Sequence, residues 1–361
     1  MGPAGMERDF TALADLASAR VGGRAVATND DFFAPMSNLV KAEPAVFLPG
    51  KYTPRGKWMD GWESRRQRTP GHDWCVVELG IRGVIRGVNV DTRFFTGNYP
   101  SHCSIEAIDA IDAIDAIDAR DGRSRARRGA LPAGAIPRNR TRDPDARPWT
   151  TILSKVALRG DSENVFPVNE SRPWTHVRLN IFPDGGVARL RVYGDADIDW
   201  TRIARSKRVL DLASIVNGGL VLGASDMHFG AKDNLIMPGR AKNMGDGWET
   251  RRRRGPGHDW AVVRLGAPGT IRRVEIDTNH FKGNFPDSAS IDACFRPGAG
   301  LDAATTGSWT ELLPPTKLRA SYRHFFSKEL RRTGVVSHVR LNIFPDGGIS
   351  RLRVHGTVAP A

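Results

Sequence analysis

Two stretches of this chain place proton-transfer groups and guanidinium groups within one loop's length of each other. "DGWESRRQRTPGHDW", residues 60–74, carries Glu63, His72 and Asp73 beside Arg65, Arg66 and Arg68. "DGWETRRRRGPGHDW", residues 246–260, carries Glu249, His258 and Asp259 beside Arg251, Arg252 and Arg254; twelve of fifteen positions are identical and the block is displaced by 186 residues. Carboxyl and imidazole groups can move protons near neutral pH, and the forked donors of arginine match a carboxylate. The set suits a small polar anion better than a lipid or an apolar ligand. The catalytic candidates are therefore Glu63, His72, Asp73, Glu249, His258 and Asp259, and the candidate anion grips are Arg65, Arg66, Arg251 and Arg252.

Each part also has a purely structural reading. Trp62, Trp74, Trp248 and Trp260 fit core or loop anchors, and Asp60 and Asp246 before glycine fit turn residues. His72 and His258 either fix the Gly-His-Asp turn or act on a substrate, and the arginine run doubles as a solvated face. Asn98 and Asn284, in the "TGN" and "KGN" turns, are substrate-binding candidates with a structural alternative. The copies also differ: Phe32 becomes His228, Phe94 becomes His280 and Met36 becomes Lys232. The second copy thereby gains titratable groups, which adds His228 and His280 to the substrate-binding candidates.

The elements that must position these residues occur twice. "DTRFFTGNYP" at 91 returns as "DTNHFKGNFP" at 277, and "HVRLNIFPDGGVARLRVYG" at 176 returns as "HVRLNIFPDGGISRLRVHG" at 338. This order of blocks predicts a first repeat at 10–194, a linker at 195–205 and a second repeat at 206–356. The offset falls from 186 to 162 between the middle and last blocks, so the first copy holds a low-complexity insertion at about 108–147, "AIDAIDAIDAIDA" and an Arg/Pro/Gly tract. Val177, Leu179 and Ile181 alternate with polar neighbours, "PDGG" supplies turn chemistry, and Leu190 and Val192 alternate again, which reads as a hairpin. "WCVVELG" and "WAVVRLG" read as buried strands. Only the openings, "FTALADLASARVGG" and "RVLDLASIVNGG", have helical spacing, and both stop at paired glycines. Many short strands between Gly/Pro/Asn/Asp turns predict an all-β chain: two tandem antiparallel jelly-roll β-sandwiches, each opened by a short helix.

Composition narrows the function classes. A length of 361 residues with 40% hydrophobic content supports ordinary cores. No apolar run reaches the roughly 20 residues of a membrane helix, and no signal-peptide pattern opens the chain. Cys75, Cys103 and Cys294 are odd in number and lack metal-ligand spacing, which suits buried thiols in a reducing cytoplasm. The net charge of +13 raises a polyanion partner. Its densest part, nine arginines and three aspartates between Arg120 and Arg147, follows Asp109, Asp112, Asp115 and Asp118 and lacks aromatic interleaving. No nucleic-acid or membrane partner is expected.

The repeated loop, "DTRFFTGNYP" and the doubled "RLNIFPDGG" resemble the allantoicase family over essentially all of both halves. Each half is also similar to the galactose-binding-like jelly roll. The insertion with its IDA units departs from the family pattern. The resemblance implies hydrolysis of allantoate to ureidoglycolate and urea in purine catabolism; with the cysteine usage, a cytoplasmic enzyme is expected, and a homo-oligomer. Arginine for the substrate carboxylate, an acid for departing urea and a base for water are the groups this chemistry needs. No organic cofactor is expected; a divalent metal held by His and carboxylates stays open, with no spacing to support it. A noncatalytic tandem sugar-binding protein is the alternative, since fold does not fix function.

Overall fold

A nineteen-residue strand runs through each repeat, Asp73–Asp91 in the first and Asp259–Asp277 in the second. The computed structural model describes residues 9–110 and 149–360 and divides into two units, 1–195 and 196–361. The run "WCVVELG" and the alternating Val88 and Val90 prove to be two halves of one strand. Small residues let it continue: a Cβ on Gly80 would lie 2.5 Å from the Gly23 nitrogen, and one on Gly83 2.4 Å from the Asp195 carbonyl.

The two halves take different partners. In repeat 1, residues 73–78 pair with Pro173–Phe182, whereas 87–91 pair with Glu163–Pro167. In repeat 2, residues 259–264 pair with Val335–Phe344 and 269–277 with Arg351–Val358. Each repeat is thus an eight-stranded antiparallel sheet, with the long strand common to both layers of a jelly roll. Strand alternation fills the interior: Val77, Ile105, Leu179, Leu190 and Val192, like Val263, Ile291, Leu341, Leu352 and Val354, are fully buried, each stabilising by about 1.5–3 kcal/mol.

The expected hairpin around "PDGG" is not formed. Pro173–Phe182 and Arg189–Ala196 lie on opposite sides of the long strand, so "PDGG" belongs to a crossover. Its exit residues Gly186–Val187 pair instead with Trp62–Glu63, as Gly348–Ile349 pair with Trp248–Glu249. Side-chain alternation reports which face is buried and does not identify the pairing partner. The helical spacing of the openings is realised as short 3-10 turns, Phe10–Ala12, Ala19–Val21 and Ile215–Asn217. Between or before these turns, Ala14–Asp15 and Val209–Asp211 add to the last strand of their repeat. Trp200–Ser206, which fills the second half of the region expected as a linker and ends one residue beyond it, is an α-helix capped by Asp199. Most of the low-complexity insertion lies outside the described residues, but Asp109 at its start is buried and ion-paired to Arg82 at 2.6 Å. No helix among the described residues is long and apolar enough to cross a membrane.

Asp60 and Asp246, read as turn residues, have a larger task. Arg189, 1% exposed, donates to the Asp60 carboxylate at 2.6 Å and to the carbonyls of Asp60, Ala188 and Glu43 at 2.7, 2.7 and 2.9 Å. Arg351 repeats the pattern with the Asp246 carboxylate and with the carbonyls of Asp246, Ser350 and Gly239. The guanidinium ties the last strand to the root of the loop that carries Glu63 or Glu249. Removing one partner of a buried pair leaves the other charge uncompensated. Arg189→Ala is expected to cost about 3–5 kcal/mol, seen as a lower urea midpoint for the transition that reports the first repeat.

Candidate active site

The loop after Trp62 and Trp248 is hung from the core by those indoles. Both are fully buried, and each donates its ring N–H at 2.8 Å to a backbone carbonyl, of Asp30 or of Asp226. The same aspartates then receive the loop backbone: Arg65 N donates to Asp30 at 2.8 Å and Arg251 N to Asp226 at 2.6 Å. Two residues further on, Gln67 N and Arg253 N each donate at 2.8 Å to Asp184 and Asp346 of the "PDGG" segments. None of these four aspartates was among the sequence candidates. Their signal was recurrence in both copies, which for Asp184 and Asp346 turn chemistry accounted for equally well.

Pinning alternate residues leaves the arginine between them free. Arg66 and Arg252 are exposed and form no hydrogen bond or ion pair with the described residues. In repeat 2, Arg252 borders a cavity of about 630 Å³, together with Glu249, Arg253, Asn284, Phe229 and Asp346. Glu249 accepts a hydrogen bond from the Asn284 side-chain amide. In repeat 1, Asn98 donates to Glu63 in the same way at 2.7 Å. The structure therefore brings together Glu249, Asn284 and Arg252 in repeat 2, and Glu63 with Asn98 in repeat 1.

The other candidates are placed elsewhere. Asp73 and Asp259 are buried behind the loop. Asp73 accepts from Asn29 and Gln67 at 2.7 and 2.6 Å, and Asp259 accepts from Ser225 at 2.9 Å and pairs with Arg253 at 2.5 Å. His72 and His258 tilt against Phe182 and Phe344 at 4.9 and 4.8 Å between centroids. His258 Nε2 also lies 3.3 Å from the Asn342 side-chain oxygen, away from the cavity lining. His280 meets the Ala241 carbonyl at 3.0 Å and is likewise not in the lining. His228, exposed and not in the cavity lining, lies 3.3 Å from Arg251, whereas Phe32, its counterpart, lies beneath the Arg65 guanidinium at 5.2 Å. Arg65 also pairs with Asp30 at 3.0 Å. No group of three His, Cys, Asp or Glu side chains placed to share a metal ion occurs among the described residues.

A family model described as Allantoicase repeat matches the chain twice, at residues 14–197 and 210–359. "Probable allantoicase 1" of Burkholderia mallei (strain ATCC 23344) is 48% identical over 346 residues, 95% of this chain and 94% of that protein. A "Probable allantoicase" of Pseudomonas aeruginosa (strain LESB58) is 47% identical over 349 residues, 96% of each. The crystal structure of allantoicase from Saccharomyces cerevisiae matches with a TM-score of 0.75 and 32% identity over 97% of each chain.

Burial pushes the Glu63 carboxyl above its ordinary value, opposed by the hydrogen bond from Asn98. The unfolded chain then releases this proton first, so Glu63 withdraws stability as pH climbs from about 4.3 through its folded-state value. Glu63→Gln is expected to remove that decline in a series of denaturation curves against pH. Asn98→Ala should raise the Glu63 titration midpoint further when followed by carboxyl NMR.

Proposed function

Because the chain belongs to the allantoicase family, we propose that it hydrolyses allantoate to ureidoglycolate and urea, and that the cavity beside Glu249 in repeat 2 is where it does so. In this reaction one C–N bond at the central carbon breaks, a C–O bond from water forms, and a proton from water ends on the urea nitrogen. The observation that carries the placement is the convergence of an unpaired guanidinium and an amide-held carboxyl on one cavity. Arg252, with no partner among the described residues, is assigned the substrate carboxylate. Glu249 is assigned the proton: its acid form protonates the departing urea nitrogen, and the resulting carboxylate takes a proton from the incoming water. Asn284 holds Glu249 in one orientation.

Asp259 and His258 are assigned supporting roles. Asp259 fixes Arg253 at the cavity wall, and His258 packs on Phe344, next to the lining residue Pro345. The reaction as written needs water and no organic cofactor. We assign the enzyme to the cytoplasm, because Cys75, Cys103 and Cys294 are buried and unbridged. Burial raises all three thiols, that of Cys103 to about 12.

The decisive measurement is urea release from allantoate. Glu249→Gln is expected to lower kcat by about 10²–10⁴-fold, and Arg252→Ala to raise KM with a smaller change in kcat. Full turnover by Glu249→Gln would place the reaction elsewhere.

A further inference from the structure

A second cavity, of about 190 Å³, lies in repeat 2 and shares no lining residue with the first. Four arginines, Arg240, Arg323, Arg351 and Arg353, line it together with Glu275 and Asp277. The two carboxylates are already engaged. Glu275 accepts both arms of Arg323 at 2.7 and 3.0 Å. Asp277 accepts the Asn279 backbone N–H at 2.9 Å and Arg240 Nε at 3.3 Å.

The guanidinium donors are not exhausted in the same way. Arg353 Nη2 donates to the carbonyls of Met237 and Gly239 at 2.6 and 2.7 Å, and Nε stands 3.6 Å from Asp211. Its remaining nitrogen, Nη1, is buried without a partner. Arg240 is about half exposed and meets Asp277 through Nε alone, which leaves its two terminal nitrogens unpartnered among the described residues. The buried Arg353 Nη1 has no surface open to the cavity, so the donors an occupant reaches directly are the terminal nitrogens of the half-exposed Arg240, with Arg323, Arg351 and Arg353 adding positive charge around them. The cavity has room for about six waters at roughly 30 Å³ each, the scale of a tetrahedral oxyanion or a short carboxylate.

We propose that this cavity is a binding site for a small oxyanion, held by the terminal nitrogens of Arg240 within the positive field of Arg323, Arg351 and Arg353. Charge-assisted bonds from guanidinium groups are the strong donors such a ligand selects. The site is particular to repeat 2. In repeat 1, Pro44 stands in place of Arg240, and the strand register puts Glu163, ion-paired to Arg93, where Arg323 lies, so the free guanidinium donor of this region is missing there. Arg351 joins this cavity to the root of the catalytic loop, because the same guanidinium holds Asp246.

Isothermal calorimetry on the full chain at constant ionic strength tests this, with inorganic phosphate, sulfate and acetate as separate titrants. Saturable binding of at least one of them, near one per chain, is expected, and the titrant that binds identifies the oxyanion class. Arg240→Gln, a change at a half-exposed position, should raise its Kd at least tenfold, whereas Arg252→Ala in the other cavity should leave it within twofold. Absence of saturable heat with all three titrants, an unchanged Kd in Arg240→Gln, or loss of binding in Arg252→Ala would each overturn the assignment.

Discussion

A guanidinium group sealed inside each repeat is the constraint on which the site depends. Arg189 and Arg351 each gather one carboxylate and several backbone carbonyls around a single cation. Burying a charge costs several kcal/mol unless its donors are satisfied, and here the acceptors come from segments far apart in the chain. The last strand, the segment near Glu43 or Gly239 and the root of the candidate-site loop must arrive together for the guanidinium to be tolerated. The pair is therefore better understood as a device for registration than as a reservoir of stability. It fixes where the loop begins, and Trp62 or Trp248 fixes how deeply it sits.

From that root, the loop has little regular secondary structure, and side chains take over the role that ladder hydrogen bonds play in a sheet. Asp30 or Asp226 takes the N–H of one loop residue, and Asp184 or Asp346 takes the N–H two residues later. Arg66 and Arg252 stand between these clamps, with fixed backbone and uncommitted side chains. The glycines of "PDGG" serve the same assembly. A Cβ on Gly186 or Gly348 would lie 1.9 or 2.0 Å from Phe95 or Phe281, and the Gly186 N–H donates to the Asn98 carbonyl at 2.7 Å. Close approach of these backbones is what places the asparagine against the glutamate.

Duplication preserved this frame while its chemistry diverged. Gln67 donates to one Asp73 oxygen as a neutral bond, whereas Arg253 meets Asp259 as an ion pair. Phe32 gives way to His228 on the exposed surface, each edge-on to the next phenylalanine. Repeat 2 also gathers arginines around its second cavity, where repeat 1 has Pro44 and Glu163. The changes fall on side chains facing solvent or a cavity, while the buried arginines, tryptophans and clamping aspartates are the same in both copies.

Much of this molecule was legible in the sequence. The doubled blocks located the repeats, alternation in segments such as Val177–Ile181 identified the β architecture and its buried face, and Glu63, Asn98 and Arg66 with their second-copy counterparts were marked as site candidates by type and recurrence. These features are local, since residue period and turn chemistry are set by neighbours along the chain. Strand partners were not legible: the same alternation fits a hairpin or the crossover actually formed around "PDGG". Nor was the separation of His72 and His258 from Glu63 and Glu249, nor the conversion of Asp60 and Asp184 from apparent turn residues into anchors, nor the anchoring role of Asp226. Those outcomes depend on which distant backbone N–H or guanidinium each group meets after burial, and only the tertiary fold brings such donors within 3 Å.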